Sequence, residues 1–278
     1  MKERAYAKIN MSLDVFNIRE DGYHDINSIM VPIDFYDELE IEKSSRDEYV
    51  CNRMHILFNR HNSIIKMINI VKERFHIDDH YSVKLNKHIP IKAGLGGGTS
   101  DAAAALRIME RMYQLHLTDE ERIDICLKVG ADVPFNYYST PAVVSGLGDV
   151  IEPFKMAKEY EVLLVKPRMG VSTVEAYESL NMDICDHPDI DALRLALTDG
   201  DSIEGKLGNS LEQPALKLNR EVAVIKNRLG DLGAKNVLMS GSGSTVFAIS
   251  EDKQEIADLH DKMSRLGYFT RLTRTLNR

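Results

Sequence analysis

The chain has 278 residues, with 35 Lys and Arg against 43 Asp and Glu and a formal net charge of −8, which excludes nucleic acid or an anionic membrane surface as its principal partner while leaving room for a local basic patch that holds a small anion. With 44% hydrophobic and 28% charged residues, it is a globular chain long enough for two ordinary domains. Cys51, Cys126 and Cys185 are odd in number and far apart, so neither a disulfide framework nor a metal centre is expected. The charged start Met1-Lys2-Glu3-Arg4 lacks the apolar core of a secretory signal, which makes the cytoplasm the expected location.

In chain order, Ile9, Met11, Leu13 and Val15 alternate along a first strand. Asp21-Gly22 is a turn signal, and Ile29-Met30-Val31 and Leu39-Glu40-Ile41 continue a strand region that fills residues 3–50. Asn62 to Val71 reads as a helix burying Ile64, Ile65, Ile68 and Val71. Tyr81 to Leu85 reads as a strand leading into a glycine loop. Thr118, with Glu121 three residues on, forms a capping-box pattern that opens another helix. The chain turns polar between Pro153 and Glu159, which places a boundary between domains at 1–155 and 156–278. The second half reads as a strand from Val162, a helix from about Val174, an acidic loop, two helices, a strand–turn–strand from Val237 to Ile249, a helix from Asp252 and a last strand from Phe269 to Thr273. Mixed strands and helices in both halves argue for an α+β build. No apolar run is long enough to span a bilayer, and no signal for the oligomeric state is present.

The loop Pro90-Ile91-Lys92-Ala93-Gly94-Leu95-Gly96-Gly97-Gly98-Thr99-Ser100 is the most informative segment. Its glycines leave backbone N–H groups uncovered. Thr99, Ser100 and Asp101 are residues that cap helices, and Ala102, Ala105, Leu106 and Met109 follow at helical spacing. A glycine loop feeding a helix N-terminus is an anion site, because free N–H groups and the positive end of the helix dipole point the same way. No acidic residue occurs from Tyr81 to Ser100, whereas Lys84, Lys87, His88 and Lys92 do. The loop lacks the Gly-Lys-Ser/Thr ending of a Walker A motif. It fails the G-x-G-x-x-G dinucleotide spacing, and the chain has no H-R-D or D-F-G segment.

What remains, P-x-x-x-G-L-G-G-G-T-S-D, resembles the second motif of the superfamily named for galactokinase, homoserine kinase, mevalonate kinase and phosphomevalonate kinase (GHMP). Two more segments fit in order: Ala7-Lys8-Ile9-Asn10 with Arg19-Glu20-Asp21-Gly22-Tyr23-His24, and Met239-Ser240-Gly241-Ser242-Gly243-Ser244-Thr245. The first of these, with Gly130-Ala131-Asp132-Val133-Pro134 and Asn209-Ser210-Leu211-Glu212, is similar to the branch that phosphorylates the 2-hydroxyl of a cytidine-diphosphate-linked methylerythritol in isoprenoid precursor synthesis. The resemblance implies a two-domain GHMP kinase fold, with a ribosomal-protein-like N-terminal domain, a ferredoxin-like C-terminal domain and an active-site cleft between them. It implies ATP and Mg²⁺, the metal resting on phosphate oxygens and waters.

Phosphoryl transfer to an alcohol needs the triphosphate held, the hydroxyl aimed and negative charge stabilised. Pro90 to Ser100 would hold the phosphates, with Asn62 and Lys87 contributing toward the purine end and the phosphates. Asp132, among small and apolar neighbours, wants a cationic partner, and Lys8 on an apolar strand has the opposite need. The resemblance pairs them as base and orienting cation; the structural alternative is Asp132 capping a helix and Lys8 reaching solvent. By the same resemblance Asn10 positions the polyol, while Tyr23 and His24 meet the cytosine with Tyr177 as a second aromatic. Thr173, Gly241, Ser242 and Gly243 also fall on the substrate side. Another small alcohol (mevalonate, homoserine or a sugar) or a non-catalytic nucleotide-binding relative stay open as alternatives. His76 and His80 read as part of a turn rather than as ligands. Two departures stand out: Thr99 replaces a usual serine, and Ser139 a usual glycine.

Overall fold

Alternating apolar residues give the amino terminus two long strands, β1 (Lys2–Ile18) and β2 (His24–Ser44), followed by the short β3 (Glu48–Cys51). The computed structural model describes residues 1–20 and 22–277; Asp21, from the expected Asp21-Gly22 turn, lies outside the described residues. There follow α1 (Ser63–Phe75), β4 (His80–Asn86), α2 (Gly97–Tyr113), α3 (Asp119–Leu127), α4 (Val133–Tyr138), β5 (Ala142–Gly146) and β6 (Val150–Pro153). The remainder is β7 (Glu161–Lys166), α5 (Thr173–Glu178), α6 (Ile190–Asp199), β8 (Gly208–Asn209), α7 (Glu212–Leu218), α8 (Arg220–Asp231), β9 (Val237–Met239), β10 (Val246–Ser250), α9 (Lys253–Ser264) and β11 (Phe269–Arg274). Where the sequence suggests two helices after the acidic loop, three form, with β8 set between the first two.

The chain packs as two units that alternate along the sequence. Unit one is Met1–Ala7, Phe35–Pro90 and Gly96–Ser139; unit two is Lys8–Asp34, Ile91–Leu95 and Thr140–Arg278. A cut at 155/156 thus describes an order along the chain, whereas the units change over within β1 and β2, which are 17 and 21 residues long.

In unit one, the second half of β2 pairs antiparallel with β4, Leu39 opposite Leu85 and Ile41 opposite Val83, and β3 joins β4 in parallel. Against these strands lies a core that includes Ile64, Met67 and Val71 of α1 with Ala102 to Leu106, Ile108 and Met109 of α2. The alanines give α2 a low surface, so α1 packs close to it. Thr118 and Glu121 close the expected capping box on α3. Arg107 of α2 donates to the carbonyls of Asn136 and Tyr137 at 2.8 and 2.9 Å, satisfying two backbone acceptors at the end of α4.

In unit two, Ile26 to Met30 of β2 pair antiparallel with β5, which continues into β6, while β8 runs parallel to β1 opposite Ser12 and Leu13. A separate antiparallel sheet has the order β11-β7-β10-β9. Val162 to Val165 are fully buried in it, and Ile256, Leu259 and Met263 give α9 an apolar stripe that packs on β7 and β11. Among the described residues, no helix is long and apolar enough to cross a membrane.

Ser139 ends α4 at φ 51°, in the left-handed region, and is buried. That is the backbone geometry glycine adopts without a Cβ penalty, so the unusual serine is tolerated rather than required. Ser139→Gly is expected to raise the free energy of unfolding, measured by urea titration, by up to about 1 kcal/mol, and the β-branched Ser139→Val to lower it by at least as much.

Candidate functional site

The first turn of α2 differs from the capped start that Thr99, Ser100 and Asp101 suggest. The helix begins at Gly97, and the residue before it, Gly96, takes a left-handed φ of 66° with no side chain capping the turn. The three expected caps act elsewhere. Thr99 Oγ1 donates back to the Gly96 carbonyl at 2.9 Å and accepts from Asn136 Nδ2 at 2.8 Å. Ser100 Oγ donates to the Tyr6 carbonyl at 2.6 Å. Asp101 turns toward Lys87. The residue before this 17-residue helix thus brings no side-chain cap to its positive end, an arrangement that suits an external anion.

Beneath this turn lies a buried ion cluster. Lys87 Nζ donates to Asp37 Oδ2 and Asp101 Oδ2, each at 2.5 Å, and all three side chains are at most 5% exposed. Asp37 Oδ1 also accepts from the backbone amides of His88 and Ile89. A Cβ on Gly97 would stand 3.1 Å from Lys87 Nζ and 2.9 Å from Ile89 Cγ2, so the cluster is pressed against the helix start. Burial alone would lower the Lys87 pKa, but the carboxylates of Asp101 and Asp37 outweigh it and hold it above the ordinary lysine value. Burial drives the Asp101 carboxyl up to about 7; Lys87 pulls against that shift and Asp37 adds to it. Lys87, expected near the phosphates, thus has its ammonium engaged under the loop.

Asn62 caps α1: its Oδ1 accepts from the Ile64 amide at 2.9 Å and its Nδ2 donates to the Leu57 carbonyl at 3.1 Å. Asp132 occupies the residue before α4 and is half-buried, yet its side chain makes no capping hydrogen bond, so the capping alternative fails. Asn136, one turn on, ties α4 to Thr99.

Unit two gathers the other motifs. Lys8 is 3% exposed and its Nζ donates to Asn10 Oδ1 at 2.5 Å, which removes the alternative of a solvated lysine. Asn10 Nδ2 donates to Ser28 Oγ at 2.8 Å, and Ser28 Oγ donates on to the Ser12 carbonyl. The Asn10 amide donates to Ser240 Oγ, which donates to the Gly94 carbonyl at 2.9 Å. Two backbone bonds complete the junction, Lys8 N to Leu95 O and Thr245 N to Ala93 O, both 3.1 Å. A Cβ on Gly94, at φ 73°, would lie 2.0 Å from the Ser240 carbonyl oxygen, so glycine is compulsory there. Asn209 Nδ2 holds the third loop through the carbonyls of Met239 and Gly241, both at 2.8 Å. A side chain on Gly241 would stand 3.4 Å from Lys8 Nζ. Gly243 borders Met239 and Val171, and Ser242 Oγ is 2.8 Å from Thr173 Oγ1.

His24 and Tyr177 bring their rings together at a centroid distance of 5.0 Å and a tilt of 48°. Tyr23 next to them is 67% exposed. Tyr177 is half-buried rather than a core residue, and its ring lies beside that of His24. In the loop's opening stretch Ile91 and Lys92 are exposed, Lys92 at φ 49°, Pro90 is half-buried, and Ala93 and Leu95 are buried. His76 ends α1 as its left-handed cap, and His80 lies 3.1 Å from Asp47. Among the described residues no group of three or more His, Cys, Asp or Glu is placed to hold a metal ion.

Asp37 and Asn136 escape the sequence reading, and Ser240 enters it only as part of the third motif, with no role of its own. Asp37 carries no distinct signal, being one of three acids, with Asp34 and Glu38, between Val31 and Leu39. The other two are ordinary polar residues whose importance depends on partners 37 and 146 positions away.

Gly98 contrasts with Gly94. A Cβ at Gly98 would meet nothing nearer than Ser63 Oγ at 3.5 Å, so the fold itself does not demand glycine there. Gly98→Ala is expected to melt within a degree or two of the parent yet to weaken phosphate-ligand binding at least about tenfold by calorimetry, whereas Gly94→Ala should lose several degrees of melting temperature. Asp101 has a folded pKa raised above its unfolded value, so its stabilising contribution is present at acid pH and lost as pH rises through about 7. Asp101→Asn cannot ionise, and its melting temperature relative to the parent should climb by a few degrees between about pH 5 and about pH 8.

Comparison with known proteins bears on these groupings. Residues 62–140 match the family model described as GHMP kinases N terminal domain, and residues 185–268 match GHMP kinases C terminal. A 4-diphosphocytidyl-2-C-methyl-D-erythritol kinase of Clostridium beijerinckii is 38% identical over 99% of this chain and 100% of its own length. The Bacillus subtilis protein of that name is 37% identical over 93% of this chain and 91% of its own. A crystal structure of a 4-(cytidine 5'-diphospho)-2C-methyl-D-erythritol kinase superposes with a TM-score of 0.83 at 28% identity, covering 99% of both chains. A homoserine kinase from Cytophaga hutchinsonii, at 16% identity and a TM-score of 0.74 over 98% of this chain and 94% of its own, shares the fold. With both family segments present and full-length relatives at this identity, the chain belongs to the GHMP kinase family, within the branch of the 4-diphosphocytidyl-2-C-methyl-D-erythritol kinases.

Proposed function

We propose that this chain is an ATP-dependent kinase that phosphorylates the 2-hydroxyl of 4-diphosphocytidyl-2-C-methyl-D-erythritol, a step of isoprenoid precursor synthesis. The observation that carries the reading is the uncapped start of α2 behind Gly96, in a chain whose full-length relatives bear that enzyme's name. Amides of Gly97, Gly98 and Thr99 offer donors to phosphate oxygens, and the helix dipole adds to their attraction. Mg²⁺, when bound with the nucleotide, would rest on phosphate oxygens and waters and would supply neutralising charge to the triphosphate.

Transfer then asks for two things of the side chains. Asp132 accepts the proton of the attacking hydroxyl as its oxygen bonds to the γ-phosphorus and the bond to ADP breaks. Lys8, buried with Asn10 as its fixed neighbour, supplies a positive charge that steadies the developing alkoxide. Asn10 positions the polyol with help from the loop at Gly241 to Gly243 and from Thr173. Tyr23, His24 and Tyr177 take the cytosine, the rings stacking on its face and His24 reading its edge. Pro90 to Leu95 shape the approach of the phosphates, Asn62 fixes the helix start toward the purine end, and Lys87 acts on the loop from below. A small acceptor such as mevalonate or homoserine would leave the aromatic group with nothing to bind, which favours the cytidylated substrate. We assign residues 1–155 to the ATP-binding half and 156–278 to the C-terminal half, with small molecules as the partners.

Asp132→Asn is expected to keep the parent's circular dichroism and its ATP affinity while turnover falls at least about a hundredfold, the usual scale of a lost general base. Near-normal turnover of a folded Asp132→Asn protein would refute the base. ATP consumption measured against the cytidylated polyol, mevalonate, homoserine and galactose should be high with the first alone.

A further inference from the structure

We infer that Asp37, Lys87 and Asp101 act as a proton-accepting counterweight to the phosphate loop, so that seating a polyphosphate on the start of α2 draws a proton onto Asp101. This rests on the reading of that loop as the nucleotide site.

The cluster holds one cation and two acids. Asp37 has both carboxylate oxygens engaged: Oδ1 accepts two backbone amides, from His88 at 2.5 Å and Ile89 at 2.8 Å, and Oδ2 accepts from Lys87. Asp101 does not. Its Oδ2 accepts from Lys87, while its Oδ1 is buried with no hydrogen-bond partner among the described residues. A neutral carboxyl suffers less from that orphaned oxygen than a carboxylate does. With Asp101 protonated, Lys87 and Asp37 form a neutral pair; with Asp101 ionised, the cluster carries a net negative charge.

That charge sits against the anion site. Asp101 lies four residues into α2, and Lys87 Nζ is 3.1 Å from the Cβ position of Gly97. Other packed elements offer little compensation. The buried residues of α1 are Ile64, Ile65, Met67, Ile68 and Val71, and those of α4 are Val133, Pro134, Phe135 and Asn136, none of them ionisable. Glu3 of β1 is paired with Arg107 and Arg111 further along α2. A bound polyphosphate above the turn therefore repels an ionised Asp101 across a buried, weakly screened gap and raises its proton affinity. Burial already holds the free Asp101 near neutrality. Below that range the proton is present before binding; above it, binding must take one up. By linkage, nucleotide affinity falls as pH rises through the same range.

The test is calorimetry of a non-hydrolysable ATP analogue with saturating Mg²⁺, which keeps the nucleotide phosphates ionised, in PIPES and in Tris at about pH 7.5. The difference in heat between buffers reads protons exchanged. The parent protein is expected to take up a measurable fraction of one proton and to bind several-fold more weakly at about pH 8.5 than at about pH 6.5. Asp101→Asn should bind with no net uptake and a flat pH dependence. Equal heats in both buffers for the parent, or the same uptake in Asp101→Asn, would overturn the inference while leaving the nucleotide site intact. Absence of any binding heat would overturn the nucleotide reading and the inference with it. Should Asp101→Asn fail to fold, the two-buffer comparison and pH series on the parent still decide.

Discussion

The start of α2 is kept open, and much of unit one is arranged to keep it so. A helix N-terminus normally finishes its own hydrogen bonding with a Ser, Thr, Asp or Asn side chain. Here three such residues stand within the first five positions and none caps, because Gly96 turns the chain into the helix three residues before the first of them. Thr99 is occupied by Gly96 and Asn136, Ser100 by Tyr6, and Asp101 by Lys87. The polar side chains that would neutralise the positive end are instead spent holding it rigid. The amides are left for a ligand, and the underlying Lys87 adds a positive charge that its two acids offset.

Unit two solves a related problem with different means. The strand β1 carries Lys8, Asn10 and Ser12 on alternate positions from Ile9 and Met11, and both sets are buried. Burying a lysine and an amide is costly unless each has a partner. The partners form one continuous run: Lys8 to Asn10, Asn10 to Ser28, Ser28 to the Ser12 carbonyl, and the Asn10 amide to Ser240 and on to Gly94. That run joins the first motif, the opening of the glycine loop and the third motif into a single polar network. Its precision rests on bare backbone, since a side chain at Gly94 would occupy the space of the Ser240 carbonyl.

The functional reading joins these two arrangements through chemistry. A phosphate held by backbone amides needs no side-chain charge to remain in place, so the few buried charged groups are available for tasks in the reaction itself. Under the proposed function, Asp132 takes the transferring proton and the rings of His24 and Tyr177 take a flat base. The Asp37–Lys87–Asp101 cluster is suited to the charge balance of the loop.

What the amino-acid sequence determined by itself was local. The helix over 62–71 was legible from its apolar spacing, the capping box from Thr118 and Glu121, and the turn from glycine loop into α2 from glycines followed by an alanine-rich helix. Each depends on residues within a few positions of one another. The position of the three motifs in order along the chain also sufficed to place it in its family. Tertiary structure alone decided that Asp132 does not cap its helix, that the polar face of β1 is covered, and that Lys87 is buried between two acids instead of facing the loop's ligand. It also decided that the compact units change over inside β1 and β2. These outcomes rest on groups 14 to 230 positions apart, such as Lys87 with Asp101 and Asn10 with Ser240. Periodicity reports which residues seek burial; it carries no information about which distant polar group will arrive to satisfy them.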